Sequence, residues 1–141
     1  MELKEHGYEV AVLALLAPRP ARLVVTSFLP AAIAAVRALA PDVGTALLLE
    51  ADDLTGAPFE RADACGAFTV GAEAGLVDDA LRQEAMRRRR SLLVWTVNEP
   101  AALTRFMRDP AVGVVITDEP DVATRLRGRR WTPPAGALPF A

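Results

Sequence analysis

Cysteine is almost absent from the chain, and its scarcity excludes two kinds of architecture. The single Cys65 cannot form an intramolecular disulfide, and it cannot build a metal site made of several cysteines. A small fold stapled by disulfides is therefore excluded, and the composition agrees with a reducing compartment. We accordingly expect a cytoplasmic protein in which Cys65 is buried and chemically inert.

Long apolar runs are missing as well. The longest, at residues 10–17, is much shorter than the roughly 18 residues that indicate a membrane-spanning helix. The first residues, MELKEHG, contain no basic stretch leading into an apolar one, so they do not resemble a secretory signal. The sequence therefore predicts no membrane span.

Charge of one sign is not in excess. The formal net charge is -2 and the isoelectric point is about 5.4, which argues against nucleic acid binding through bulk positive charge. The run from Arg87 to Arg90 could indicate an anionic partner. It closes a predicted helix, however, where cations complement the helix dipole. We therefore expect a solvated helix end.

The residues that are present indicate a globular α/β protein. Of 141 residues, 52% are hydrophobic and 24% are charged, so the chain can bury a core and is not of the disordered class. Strand-like and helix-like segments alternate, connections are short, and no tight hairpin signal occurs. This order is typical of a parallel sheet with crossover helices.

The hydrophobic pattern predicts about six strands, five helices and one domain. The predicted strands are residues 2–4, 22–28, 45–49, 66–71, 92–97 and 112–117. The predicted helices are residues 8–17, 31–39, 76–90, 100–108 and a last one that ends near residue 127. Residues 51–66 contain Pro, Gly and three Asp, so they are predicted to form a loop with at most one helical turn. The domain is predicted to cover residues 1–127, followed by a Pro-rich tail at 128–141.

Two matched segments near the end of the chain carry the clearest functional signal. They are LLVWTVNEP, from Leu92 to Pro100, and VGVVITDEP, from Val112 to Pro120. Each is an apolar run that stops at a polar residue and enters a helix-start pattern. Because ligands in parallel-sheet enzymes lie at the carboxyl ends of strands, Trp95 and Asn98 stand where a ligand would bind. Asn98 and Asp118 are nevertheless predicted first as N-caps of the helices that follow.

Five segments fall in a characteristic order along the chain. They are ELK (2–4), VVTSFLP (24–30), ALAPDVGTALLL (38–49), VWTVNEP (94–100) and VITDEPD (115–121). In this order and spacing the chain resembles the glycerophosphodiester phosphodiesterase family, over roughly residues 2–127. The resemblance implies an α/β fold, namely the C-terminal part of a TIM (β/α)8 barrel with about six parallel strands alternating with helices.

The resemblance also implies a function in lipid metabolism. It implies metal-assisted hydrolysis of glycerophosphodiesters, such as glycerophosphocholine, to glycerol 3-phosphate and an alcohol. A divalent cation, calcium or magnesium, would neutralise phosphate charge, and two histidines would act as general acid and base. By position, Glu2 would be a metal ligand and Lys4 would be catalytic, reaching the phosphate. Trp95, Ser27 and Phe28 would line the substrate pocket.

Each of these residues also has a purely structural interpretation. Glu2 and Lys4 could be solvated surface residues, and Trp95 could belong to the core. Phe28 could serve packing alone. Leu29 stands where the family often has Asp or Asn, which puts a polar contact there in doubt.

The motifs of the family's first half are not found in the sequence. The HRG, PENT and E-x-D motifs and the second catalytic histidine are absent, and the only histidine, His6, matches neither catalytic position. Because a complete barrel takes about 250 residues, we expect the C-terminal half of one, catalytically incomplete when isolated. The alternative function is a non-catalytic half-barrel that acts as an interaction or complementation module. A homo-oligomer or a separate N-terminal half would then cover its bare strand edges.

Overall fold

The computed structural model describes residues 1–17 and 23–128. The strands are β1 (Val24–Ser27), β2 (Gly44–Leu49), β3 (Thr69–Glu73), β4 (Leu92–Trp95) and β5 (Val112–Val115). The helices are α1 (Glu9–Leu15), α2 (Pro30–Leu39), α3 (Ala51–Leu54), α4 (Pro58–Ala64), α5 (Asp79–Arg88), α6 (Pro100–Met107) and α7 (Pro120–Arg127), with a 3-10 turn at Ala74–Leu76. No helix within the described ranges is long and apolar enough to cross a membrane. The predicted tail lies outside these ranges except for Gly128.

The strands follow one another in the sheet in chain order, from β1 to β5. β1 pairs with β2 in parallel, and β4 pairs with β5 in parallel. At least one helix follows each strand, as parallel neighbours require a crossover connection. The predicted alternation of parallel strands and helices is confirmed. The predicted strand at residues 2–4 is reduced to one parallel bridge, between Glu2 and Thr26.

The chain divides into two compact units, of which the first runs from Met1 to Gly71. In its centre β2 is buried at every position, which explains why its sequence is continuously apolar rather than alternating. Helix α2 turns Ala32, Ile33 and Val36 inward, at the spacing of one helix face.

The first residues of the chain are tied to β1 by backbone hydrogen bonds. The Met1 ammonium group donates to the Val24 carbonyl at 3.0 Å. Thr26 N–H donates to the Met1 carbonyl at 2.8 Å, and Leu3 N–H donates to the Thr26 carbonyl at 2.8 Å. This pairing places Glu2 beside the end of β1.

The predicted loop at residues 51–66 is wrong, because helices α3 and α4 lie within it. Pro58 occupies the first turn of α4, where a missing N–H costs nothing. Phe59 and Ala62 are buried three residues apart on the same face. Pro and Asp, on which the loop prediction rests, are common in turns but also favour a helix start. Cys65, which ends α4, is buried as predicted.

The second unit begins at Ala72, and β4 and α6 contribute buried residues to its core. Leu92, Leu93 and Val94 of β4 are buried. Helix α6 places Leu103 and Phe106 three residues apart and fully buries both. The apolar run predicted as a strand therefore serves as core, as its composition indicates.

The pairing of β4 with β5 contains a bulge. Leu92 pairs with Val112, but Leu93 pairs with Val114. Gly113 is therefore an extra residue on β5, and such a residue shifts the pairing of everything that follows. The bulge decides which residues face each other beyond the ends of the two strands.

The arginine run closes α5, as predicted. Helix α5 ends at Arg88, and Arg89 takes the left-handed conformation typical of a C-cap, with φ 54°. The Glu84 carboxylate accepts hydrogen bonds from Arg87 and Arg88. These bonds and the two positive charges lower the pKa of Glu84 from 4.5 to about 2.

Candidate functional site

The residues predicted for the site lie near the carboxyl ends of strands, in two groups. The β1 group, in the first unit, consists of Glu2, Lys4, Ser27 and Phe28. The β4 group, in the second unit, consists of Trp95 and the polar residues around it. In the β1 group, Ser27 ends β1, Phe28 follows it, and Glu2 and Lys4 belong to the first residues of the chain, which pair with β1. In the β4 group, Trp95 ends β4.

Glu2 and Lys4 form an open ion pair in the β1 group. Lys4 Nζ lies 3.9 Å from Glu2 Oε1, and the two side chains are 80% and 37% exposed respectively. An exposed pair at this distance contributes little energy, because water screens it. Both charges therefore remain accessible to a ligand that can compete for them.

Ser27, which is predicted as a substrate contact, makes hydrogen bonds within the protein. The residue is fully buried, and its hydroxyl donates to the Leu3 carbonyl at 2.7 Å. The same oxygen accepts a hydrogen bond from Leu29 N–H at 3.0 Å. The one donor of this serine is therefore already used within the protein. Through it, Ser27 holds the first residues of the chain against the end of β1.

Phe28 follows β1 directly, and the residue is 38% exposed. The exposed part of the ring can offer an apolar surface to a ligand, while the rest is in contact with the protein. The geometry is compatible with both the predicted pocket role and packing.

The residues described by the structure do not assemble a metal centre. Within residues 1–17 and 23–128, no three His, Cys, Asp or Glu side chains form a group that could hold an ion. Calcium and magnesium need about six oxygen ligands or more, part of them supplied by protein carboxylates. Glu2 alone provides one carboxylate, and that carboxylate already has Lys4 as a neighbour. The donor set therefore does not fit a complete calcium or magnesium site.

His6 is engaged in holding a buried carboxylate. Its Nδ1 lies 2.8 Å from Glu9 Oε1, and Gly7 N–H donates to both oxygens of the same carboxylate at 3.0 and 3.1 Å. Burial acts to raise the pKa of Glu9, but hydrogen bonds from the Glu9 and Gly7 backbone and from His6 outweigh it and lower the pKa. His6 thus has a structural partner at the start of α1.

Trp95 ends β4, and its side chain is half-buried. The backbone on both sides of Trp95 is hydrogen-bonded to Ile116, the residue directly after β5. Ile116 N–H donates to the Val94 carbonyl at 2.8 Å, and Val97 N–H donates to the Ile116 carbonyl at 2.9 Å. Trp95 is therefore bracketed by two hydrogen bonds to the neighbouring strand end.

Asn98 does not cap α6, contrary to prediction. The cap is Glu99, whose carboxylate accepts from Ala102 N–H at 2.8 Å. Asn98 instead reaches across to the segment after β5. Its Nδ2 donates to Asp118 Oδ2 at 3.0 Å, and its Oδ1 accepts from Asp118 N–H at 2.9 Å and from the Thr117 hydroxyl at 3.2 Å. We call Asn98, Thr117 and Asp118 the amide clamp.

Asp118 does not cap its helix either. The residue before α7 is Glu119, which makes no side-chain cap, and the Asp118 carboxylate is bonded to Asn98. A signal for this contact was present in the sequence: Asn98 and Asp118 each stand two residues before a proline. Equivalent positions after neighbouring parallel strands meet at one edge of the sheet, so a cross-strand contact was the better interpretation.

The model of the family described as the glycerophosphoryl diester phosphodiesterase family matches residues 3–122. No curated protein matches the chain.

Several solved structures share the fold. A protein assigned as a glycerophosphoryl diester phosphodiesterase from Silicibacter pomeroyi DSS-3 is 28% identical with a TM-score of 0.73, and the match covers 93% of this chain and 51% of that one. A phosphodiesterase from Oleispira antarctica, solved with its product sn-glycerol-3-phosphate, is 20% identical with a TM-score of 0.75, covering 89% and 53%. The glycerophosphodiester phosphodiesterase from Thermotoga maritima is 20% identical with a TM-score of 0.70, covering 89% and 56%.

These likenesses confirm the predicted fold class, the C-terminal part of a TIM (β/α)8 barrel. The chain spans about half the length of the solved relatives it matches. The family model covers residues 3–122 of 141, far more than half of the sequence. With that coverage, the chain belongs to the glycerophosphoryl diester phosphodiesterase family.

Proposed function

We propose that the chain supplies ligand-facing residues for the metal-assisted hydrolysis of glycerophosphodiesters to glycerol 3-phosphate and an alcohol. The observation that carries the proposal is the position of Trp95 at the carboxyl end of β4, because barrels of this kind bind their substrates at strand carboxyl ends. The product found in the Oleispira antarctica phosphodiesterase has the chemistry expected of such a ligand.

In the β1 group, Lys4 is the residue proposed to interact with phosphate. Its ammonium group is exposed, and its contact with Glu2 is long. An anionic phosphate oxygen offers such a cation a charge-assisted hydrogen bond. Phe28 is proposed to line the pocket with the exposed part of its ring, and Ser27 to hold the segment that carries Lys4 through its hydrogen bond to the Leu3 carbonyl.

In the β4 group, Trp95 is the residue proposed to contact the glycerol or alcohol part of the substrate. An indole offers a large apolar face and loses little conformational entropy on binding. Its half-buried state leaves part of that face for a ligand.

A divalent cation, calcium or magnesium, would offset phosphate charge when bound. We propose Glu2 as one of its ligands. Since the described carboxylates do not form a metal centre, further ligands from elsewhere are needed, and we infer that the isolated chain retains no ion.

The proposal predicts weak binding of sn-glycerol 3-phosphate to the chain. We expect a dissociation constant of about 1 mM, equivalent to roughly 4 kcal/mol of binding free energy. Lys4→Ala should weaken binding by about fivefold to tenfold, because it removes a charge-assisted hydrogen bond. The affinity can be measured by NMR titration of the backbone amides.

Arg105→Ala provides a control for this titration, since Arg105 is another exposed cation and lies on α6. It should leave the affinity unchanged. An affinity unaffected by Lys4→Ala would contradict the role of Lys4, and the absence of any binding would contradict the proposed ligand.

Uncovered apolar surface favours the second candidate function, an interaction or complementation module. Among the described strands, β5 ends the sheet order. Its valines are only half-buried, whereas the aliphatic residues of β4 are buried. In the first unit, α1 leaves Val10 and Leu15 66% and 84% exposed. Exposed strand edges and apolar helix faces favour association with another chain. We propose that this other chain is a second copy of the protein or a separate N-terminal half.

This second candidate predicts that the chain self-associates and that Leu15→Lys shifts it toward monomer. Leu15 is so exposed that its replacement should change the free energy of unfolding by no more than about 0.5 kcal/mol. Sedimentation velocity measures the association state. Leu39→Lys, on the exposed side of α2, is the control for an added charge. A wild-type chain that sediments as a monomer and melts cooperatively would contradict self-association.

A further inference from the structure

A single side-chain amide joins the residues that follow β4 to those that follow β5. Asn98 uses its oxygen to accept two hydrogen bonds and its nitrogen to donate a third. The donor faces a carboxylate, and the acceptor faces an N–H and a hydroxyl. Asparagine satisfies both requirements, whereas aspartate, which lacks the donor, would not.

The amide clamp lies close to Trp95 along the chain. Between them, Val97 N–H is bonded to the Ile116 carbonyl, and on the other side of Trp95 the Val94 carbonyl accepts from Ile116 N–H. The segment that carries the indole is thus fixed at residues 94, 97 and 98. We infer that Asn98 is a positioning residue, which keeps Trp95 in one orientation by holding its segment against residues 116–118.

Because the clamp is exposed, we expect its main effect to be on the relative placement of the two segments and not on stability. Asn98 and Asp118 are exposed, so water can replace each bond and the net contribution to stability is small. Three bonds on one amide nevertheless restrict both segments to one relative placement. For ligand binding the inference rests on the proposed function, but for the orientation of Trp95 it does not.

Fluorescence quenching by acrylamide tests the orientation directly. Trp131→Phe leaves Trp95 as the sole tryptophan, since the chain has two. In that background, Asn98→Asp sets two carboxylates against each other, and their repulsion should raise the quenching constant by about twofold at neutral pH. The double variant Asn98→Asp with Asp118→Asn exchanges the two groups, restores the donor and should return quenching to its original value.

A pH titration separates positioning from a general loss of structure. In Asn98→Asp, lowering the pH places a proton on one carboxyl of the pair, which can then donate to the other. Quenching should therefore fall back as the pH falls, and the exchanged double variant should lack this step. Glu99→Ala, which removes the α6 cap but leaves the clamp, should not change quenching. If Asn98→Asp does not fold, Asn98→Ala should raise quenching without the pH step.

Binding of sn-glycerol 3-phosphate to the same variants distinguishes this inference from the proposed function. Asn98→Asp should weaken binding by about fivefold, because a displaced indole loses contact, and the exchanged variant should restore it. Equal quenching in all variants would overturn the inference. The expected quenching pattern with no binding by any variant, the parent included, would uphold the positioning of Trp95 and overturn the proposed function.

Discussion

Phe59→Ala should lower the free energy of unfolding by about 3–5 kcal/mol, the cost of emptying a large site in a packed core. Phe59 is fully buried and lies on α4, in the stretch that the sequence predicts as a loop. A loop phenylalanine at the surface would cost no more than about 0.5 kcal/mol when truncated. Urea unfolding of the variant and the parent chain therefore tests the structural role of α4.

Phe28→Ala is the matched control, because it deletes the same ring from a position that is 38% exposed. Its cost should be smaller, about 1–2 kcal/mol, since less apolar area leaves the core. Equal losses for the two variants would contradict the burial of α4. The urea midpoints of the variants can be compared directly when the slope of the unfolding free energy against urea concentration is unchanged. A change in that slope indicates an altered unfolded state.

The full 141-residue chain should show no metal-dependent hydrolysis of glycerophosphocholine. The family mechanism implies two histidines, and the sequence has only His6, which is bonded to Glu9. General acid and base groups each contribute about 10²- to 10⁴-fold to such a rate. Without them, and without an assembled metal centre in the described residues, the rate should fall to that of buffer.

Release of glycerol 3-phosphate, measured with calcium and with magnesium, provides the assay. A complete enzyme of the family serves as the positive control. Turnover above buffer that disappears on Glu2→Ala would contradict the expected inactivity and would establish Glu2 as a functional residue.

Much of the fold could be predicted because its strands are strongly apolar and its helices begin at prolines. The run at Thr45–Leu49 is apolar throughout and is buried throughout as β2. Pro30, Pro100 and Pro120 each open a helix, as their fixed φ angle favours. Short helices are harder to predict from sequence, because a few residues carry little helix propensity. Helix α3, with only four residues, is an example.

The site was predicted less completely than the fold. The strand-end positions of Trp95 and Phe28 follow from the alternation of strands and helices. The engagement of Ser27 and Asn98 with other parts of the protein depends on cross-strand register, which the pattern of a single segment does not contain. The domain limits and the cytoplasmic location remain predictions.

The bulge at Gly113 fixes which residue after β5 lies opposite Asn98. Asp118, which bonds to Asn98, lies six positions after Val112, the first residue of β5, and the extra residue on β5 belongs to that count. Deleting Gly113 would draw the following residues back by one and present the wrong side chain to Asn98. In natural variation, insertions and deletions should therefore gather between α6 and β5, before the register is established, and avoid residues 112–118. A relative that breaks this rule should carry a second length change that restores the count.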